Sequence, residues 1–177
     1  MSTTKWITDP AHSDLNFRVK HLMISNVKGS FNSFQAFIEG DDFTTAPVRV
    51  EIDATSVTTN NTDRDAHLNS ADFFDTAQFP KLIFEGKSVQ KIDEENYKLT
   101  GLLTIKNISK EVVLNVEYGG LNKDPWGVEK MAFTVEGRIN RKDWELNWNA
   151  ALETGGVLVS DEVRISADVQ FVKQNAS

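Results

Sequence analysis

Leu15-Asn16-Phe17-Arg18-Val19-Lys20-His21 alternates apolar with polar side chains at every position. Period-two alternation is the mark of a strand with one apolar and one wet face. The same reading recurs along the chain. It holds for Val48, Val50, Ile52 and Ala54, then for Leu82 and Phe84. It continues through Tyr97, Leu99, Gly101, Leu103 and Ile105, and through Val112, Leu114, Val116 and Tyr118. Met131, Phe133, Val135, Gly137 and Ile139 form a further set, and Val163, Ile165, Ala167, Val169 and Phe171 the last. Between Val27 and Glu39 the apolar spacing slips from two to three at Asn32-Ser33, which predicts a bulge or bend. About eight strands with almost no covering helix must pack as a sandwich or close into a barrel.

Turn chemistry separates the runs: Glu39-Gly40-Asp41-Asp42, Lys91 to Asn96, Lys106-Asn107, and Gly119-Gly120 through Asp124-Pro125. Hairpin-length connections favour an antiparallel, up-and-down order within one domain. At 177 residues the chain can bury roughly two thirds of its unfolded surface. The net charge of −7 argues against binding to nucleic acid or an anionic membrane, both of which need clustered positive charge, so either would require a local basic patch. The absence of cysteine excludes disulfides, thiolate nucleophiles and cysteine-ligated metals. Residues 1–10 lack the apolar core of a signal peptide, so the chain as it stands is expected to be cytoplasmic.

Two segments break the alternation. From Asn60 to Pro80, Asn61 or Thr62 can cap a short helix with Asp63 and Asp65 in its first turn, predicting a helical insertion around 61–79. Phe73-Phe74 is a large apolar payload in that polar connection. It either covers an open barrel end or plugs the core. From Trp144 to Gly156, the spacing of Trp144, Leu146 and Trp148 suggests a strand-like edge, followed by a glycine turn.

Longer motifs run in order through nearly the whole chain. They open with Trp6-x-x-Asp9-x-x-His12-Ser13-x-x-x-Phe17-x-x-x-His21 and Val27-Lys28-Gly29-Ser30-Phe31. Arg64-x-x-His67-Leu68-x-Ser70-x-Asp72-Phe73-Phe74-Asp75 and Phe79-Pro80-x-x-x-Phe84 follow. Asn140-Arg141-x-Asp143-Trp144 and Val159-Ser160-Asp161 come last. This series resembles the YceI-like family. The resemblance implies an all-β fold, a single eight-stranded antiparallel lipocalin-like barrel over residues 1–177. It also implies binding, storage or transport of a long-chain amphiphile, an isoprenoid or a fatty-acid derivative, in a tunnel down the barrel. Many family members are periplasmic and carry a leader, from which residues 1–10 depart. Asn107 stands where a glycine is expected in the turn, and asparagine tolerates positive φ.

An eight-stranded barrel can be filled by its own side chains or hold one small ligand. The inward set mixes rings with glycine and alanine and permits both, the filled form suiting a stress-associated interaction protein. On the carrier reading, Phe17, Val19, Phe31, Phe73, Phe74, Phe84, Leu103, Phe133 and Trp144 line the tunnel. His21, Arg64 and His67 meet the head group. Each polar candidate also has a plainer role. His21 suits a bond to a backbone carbonyl, Arg64 and His67 suit loop caps, and Arg141 with Asp143 suits a structural ion pair. Arg18 points outward and His12 is a weaker candidate.

An enzyme is the rival class. Yet His12 and His21 lie nine residues apart, roughly 30 Å along an extended strand, too far to share a metal without a bend. Ser13 and His12 point to opposite faces, and no nucleophile elbow or phosphate loop is present. No metal or cofactor is expected. A lipid ligand implies transient membrane contact, and Ile83 or Val113 on the outer face is compatible with a homodimer surface.

Overall fold

A computed structural model describes residues 4–22, 24–147 and 159–174. Eleven strand segments among them make eight passes across one sheet, every neighbouring pair antiparallel. Three passes are broken. β1 (Lys5–Thr8) and β2 (Asp14–His21) are separated by a 3-10 turn at Pro10–His12. Pro10 cannot donate to a ladder, and the Asp9 carboxylate caps the turn by accepting from the Ala11 N–H. β3 (Ser25–Phe31) and β4 (Phe34–Glu39) part at Asn32-Ser33, where the spacing predicted a bend. β5 (Val48–Asp53) and β6 (Val57–Thr58) flank a 3-10 turn at Ala54–Ser56. Then follow the helix α1 (Thr62–Asn69) and β7 (Lys81–Lys91), β8 (Asn96–Ile105), β9 (Ile108–Lys123), β10 (Glu129–Asn140) and β11 (Val159–Gln174).

The barrel closes through β1, in which Trp6 pairs with Ile38 of β4 on one side and Lys173 of β11 on the other. The sixteen residues of β11 run the full height, pairing β2 with one half and β1 with the other. Up-and-down order puts the 21–25 turn, α1, the 105–108 turn, the end of β10 and the start of β11 at one end. The 39–48, 91–96 and 123–129 connections lie at the other.

Two local expectations need correction. Gly119-Gly120 is not a turn. It lies inside β9, where the register with β10 shifts at Ala132/Phe133. Glycine there admits a bulge, and the chain reverses later, around Asp124–Val128. Trp144 does not begin a strand-like edge but ends a 3-10 turn, Arg141–Trp144, capped by the Asn140 side chain and closed by Glu145 at φ 59. Trp148 and the Gly155-Gly156 pair lie outside the described residues. β1 escaped the periodicity because four residues carry too little pattern. The 106–107 turn has both residues at positive φ, 53 and 65, as a two-residue hairpin requires. Val113 is half exposed on the outer face, whereas Ile83 is partly buried.

Gly101 shows how tightly the wall is built. A Cβ there would meet the Phe84 ring at 2.5 Å and press on the Glu85 carbonyl. The backbone contact cannot yield by a rotamer change. Gly101→Ala is therefore expected to destabilise the fold by about 2 kcal/mol in urea unfolding, with unchanged slope.

Candidate functional site

The inward faces do not meet in the middle. They enclose a continuous cavity of about 680 Å³, lined almost wholly by apolar side chains and reaching from α1 to the opposite end. That size lies within the ~300–1,000 Å³ of small-molecule sites. Leu15, Val50, Leu99, Leu114, Val135 and Val163 all line it and all stay only partly buried, because they face the hollow rather than a neighbour. The interior is not filled by its own side chains.

Phe17, Val19, Phe31, Phe73, Phe74, Phe84, Leu103 and Phe133 all reach the cavity surface. Trp144 does not. It is 1% exposed and packs in the core cluster with Phe84, Leu103, Ile105 and Leu146, its Nε1–H donating to the Leu103 carbonyl at 2.9 Å. Its role is to close the wall beside the 105–108 turn.

Asn61 caps α1, its side chain accepting from the Arg64 N–H at 3.0 Å. The following turn carries Phe73 and Phe74 to the cavity. Phe74 packs edge-on to Phe31 at 5.8 Å, and Phe31 meets Phe17 at 5.6 Å, so lid and wall share one aromatic chain. Phe73-Phe74 therefore covers the end without filling the hollow. At the far end Phe43 wedges between Tyr97, Tyr118 and Phe133 with ring centroids 4.9–5.1 Å away. Burial, with Tyr97 adding to it, pushes the Tyr118 hydroxyl above its usual 10.0, so it stays neutral. Phe43 was not singled out in the sequence because Gly40-Asp41-Asp42-Phe43-Thr44-Thr45 has no periodicity. A lone ring in a polar loop, the signal that exposed Phe73-Phe74, was the only mark it carried.

The polar residues gather at the α1 end. Arg64 donates from Nε to the Thr59 hydroxyl at 2.7 Å and from Nη2 to the Thr59 carbonyl at 2.9 Å. The Thr59 hydroxyl and N–H in turn donate to Asp65 at 2.6 and 2.8 Å. His67 Nε2 lies 2.9 Å from the Asp72 carboxylate, and its ring stands edge-on to Phe73 at 5.1 Å. Arg64 and His67 thus hold the loop while still facing the cavity. His21 also lines it, but its imidazole has no hydrogen-bond partner among the described residues, so the backbone-carbonyl reading gives way. Arg141 is 3% exposed and donates to the carbonyls of Ser160 at 2.9 Å and Val159 at 3.3 Å. The ion pair expected with Asp143 forms instead with Asp161, at 3.9 Å across the connection. Burial lowers the Arg141 pKa and Asp161 opposes the change, but arginine remains charged. His12 is spent on Asp9 at 2.8 Å, and Arg18 is exposed outside the barrel.

Burial raises the Asp65 pKa, but the Thr59 hydrogen bonds outweigh it and the net shift is downward from 3.8. A depressed carboxyl stabilises the fold above its unfolded pKa and loses that contribution as pH falls through the folded value. Acid unfolding of the wild type should therefore steepen below about pH 3.8. In Asp65→Asn part of that slope should be missing in circular-dichroism titrations. Equal slopes would show that the Asp65 bonds do not survive in solution.

Fold and cavity together define a lipocalin-like barrel that encloses a ligand-sized apolar space. The chain belongs to the YceI-like family, whose domain matches residues 6–171. A UPF0312 protein of Staphylococcus aureus (strain N315) is 45% identical over 171 residues, covering 95% of this chain and 97% of that protein. A Campylobacter jejuni YCEI protein of known crystal structure superposes with a TM-score of 0.76 at 36% identity, over 88% of this chain and 90% of that one. A polyisoprenoid binding domain from Saccharophagus degradans, implicated in plant cell wall breakdown, shares the fold. Its TM-score is 0.68 at 17% identity, over 97% of this chain and 98% of that one.

Proposed function

We propose that this protein binds and carries a long-chain amphiphile, an isoprenoid or fatty-acid derivative, with its tail in the barrel and its head group at the α1 end. The observation that carries the reading is the 680 Å³ apolar hollow with cationic and imidazole groups at one end only. The neighbouring fold described as a polyisoprenoid binding domain supports the same class of ligand. His21 has a free imidazole to offer a head group. Arg64, already fixed by the loop, presents its remaining donors without further ordering, and His67 faces the same space.

Removing ~20 methylene-sized groups from water gains about 16 kcal/mol at ~0.8 each, and association costs several of those. The competing solvent for such a tail is a bilayer, equally apolar, so transfer from membrane to barrel is close to neutral. That balance suits exchange rather than permanent capture, and selectivity then rests on cavity length and the head group. No catalysis is assigned to the site. Ser13 Oγ is paired with the Gln170 backbone and His12 with Asp9, so they form no nucleophile–base couple.

Titration with cis-parinaric acid, a fluorescent polyene fatty acid, tests the reading. Saturable enhancement at one ligand per chain, displaced by a polyprenyl phosphate, is expected. Absence of any fluorescence change would overturn it.

A further inference from the structure

Across four adjacent strands, the outer face of the barrel carries a continuous row of cations. Lys28 of β3 stands opposite Arg18 of β2, Arg18 opposite Arg164 of β11, and Arg164 opposite Arg138 of β10. All four are exposed. With strands about 4.8 Å apart, the row places four positive charges within roughly 15 Å. Like charges directly opposed across a ladder weaken a sheet. A chain of net charge −7 has acidic residues enough to interleave, yet among the described residues one carboxylate serves the row: Glu162, at 3.6 Å from Arg138 and 3.8 Å from Arg164. Arg18 and Lys28 have no ion-pair partner among the described residues. The row costs the fold stability and is left half neutralised, which makes it complementary to an extended anionic surface outside the molecule.

The hairpin that carries Arg18 and Lys28 ends in exposed apolar residues, Leu22 at 39% and Ile24 at 87%. An apolar tip backed by cations matches the boundary between lipid head groups and acyl chains. The same hairpin supplies Lys20 and His21 to the cavity lining. Turns at the opposite end hold Asp41, Asp42, Asp93, Glu94 and Glu95, which an anionic surface repels. The α1 end has carboxylates of its own, among them Asp63, Asp72 and Asp143, so the cation row and the apolar hairpin tip, rather than the net charge of either end, set the approach.

We propose that the α1 end of the barrel docks on an anionic lipid bilayer, with Leu22 and Ile24 at the acyl boundary and the Lys28–Arg18–Arg164–Arg138 row at head-group level. Docked this way, the polar end of the cavity faces the membrane. The docking stands whether or not the cavity carries lipid, so the two readings fail separately.

Flotation with vesicles tests it, using phosphatidylcholine alone and equal parts phosphatidylcholine and phosphatidylglycerol. The full chain should float with the mixed vesicles, remain behind with the neutral ones, and release as ionic strength rises. The Arg18→Gln/Lys28→Gln variant should bind the mixed vesicles more weakly by about fivefold for each cation removed. Ile24→Asp should also float less, and both variants should titrate cis-parinaric acid as the wild type does. Equal recovery on both vesicle types, no recovery on either, or an Arg18→Gln/Lys28→Gln variant that floats like wild type overturns the proposal. So does retention on heparin without vesicle binding, which would assign the row to a soluble polyanion. Flotation intact in a protein that binds no polyene would sink the carrier reading alone.

Discussion

Arg141→Met is expected to cost the fold about 3 kcal/mol or more, measured by urea unfolding with an unchanged slope. Methionine has nearly the length to fill the space but cannot donate a hydrogen bond. Arg141 is the point where the 3-10 turn after β10 is tied to the start of β11. Its guanidinium gathers the carbonyls of Ser160, Val159 and Leu146, and it faces the Asp161 carboxylate. Removing it strands buried acceptors, each costing about 1–3 kcal/mol when left without a partner. It also withdraws one of the two cations beside Asp161, leaving Lys142 at 3.4 Å. A variant within about 1 kcal/mol of wild type would mean that water replaces the guanidinium, and that the turn after β10 and the start of β11 are not tied there.

Filling the hollow should abolish binding without unfolding the protein. Val50 of β5 and Val135 of β10 stand four strand positions apart round the closed ring, hence on opposite walls, and both line the cavity while partly exposed to it. Val50→Trp/Val135→Trp projects two indoles into empty space, so no neighbour must move aside and overpacking strain is small. New apolar contacts should hold stability at or above the wild-type value. Affinity for cis-parinaric acid should fall by at least about a hundredfold, or 2.7 kcal/mol. A folded double variant that binds as tightly as wild type would place the tail elsewhere on the protein.

What could be read from the sequence was whatever repeats at short range. Alternation marked the eight passes, and Asn61 with Asp63 and Asp65 marked the helix, because caps and strand faces are local. The spacing slip at Asn32-Ser33 located the break in the second pass. Contacts between distant segments left no such trace. Arg141 pairs with Asp161, twenty positions away, rather than with Asp143 beside it. Phe43 is positioned by rings from three other strands, and Trp144 by the Leu103 carbonyl. The even spacing of Trp144 and Leu146 imitated a strand, and the Asn140 cap and left-handed Glu145 decided otherwise. Whether the centre was full or hollow also lay beyond pattern, since mixed rings and glycines permit either. Packing decided it. Gly29 lies under the Phe17 ring and Gly101 under Phe84, so these rings flatten on the wall instead of crossing the space.

Native mass spectrometry of the purified protein, with organic extraction of the same sample, tests the lengthwise hollow most directly. The expected result is a population heavier than the bare chain by one long-chain molecule, stripped by solvent and restored on adding back the extract or a prenyl amphiphile. A single bare mass that stays bare after incubation with prenyl and fatty amphiphiles would contradict the account.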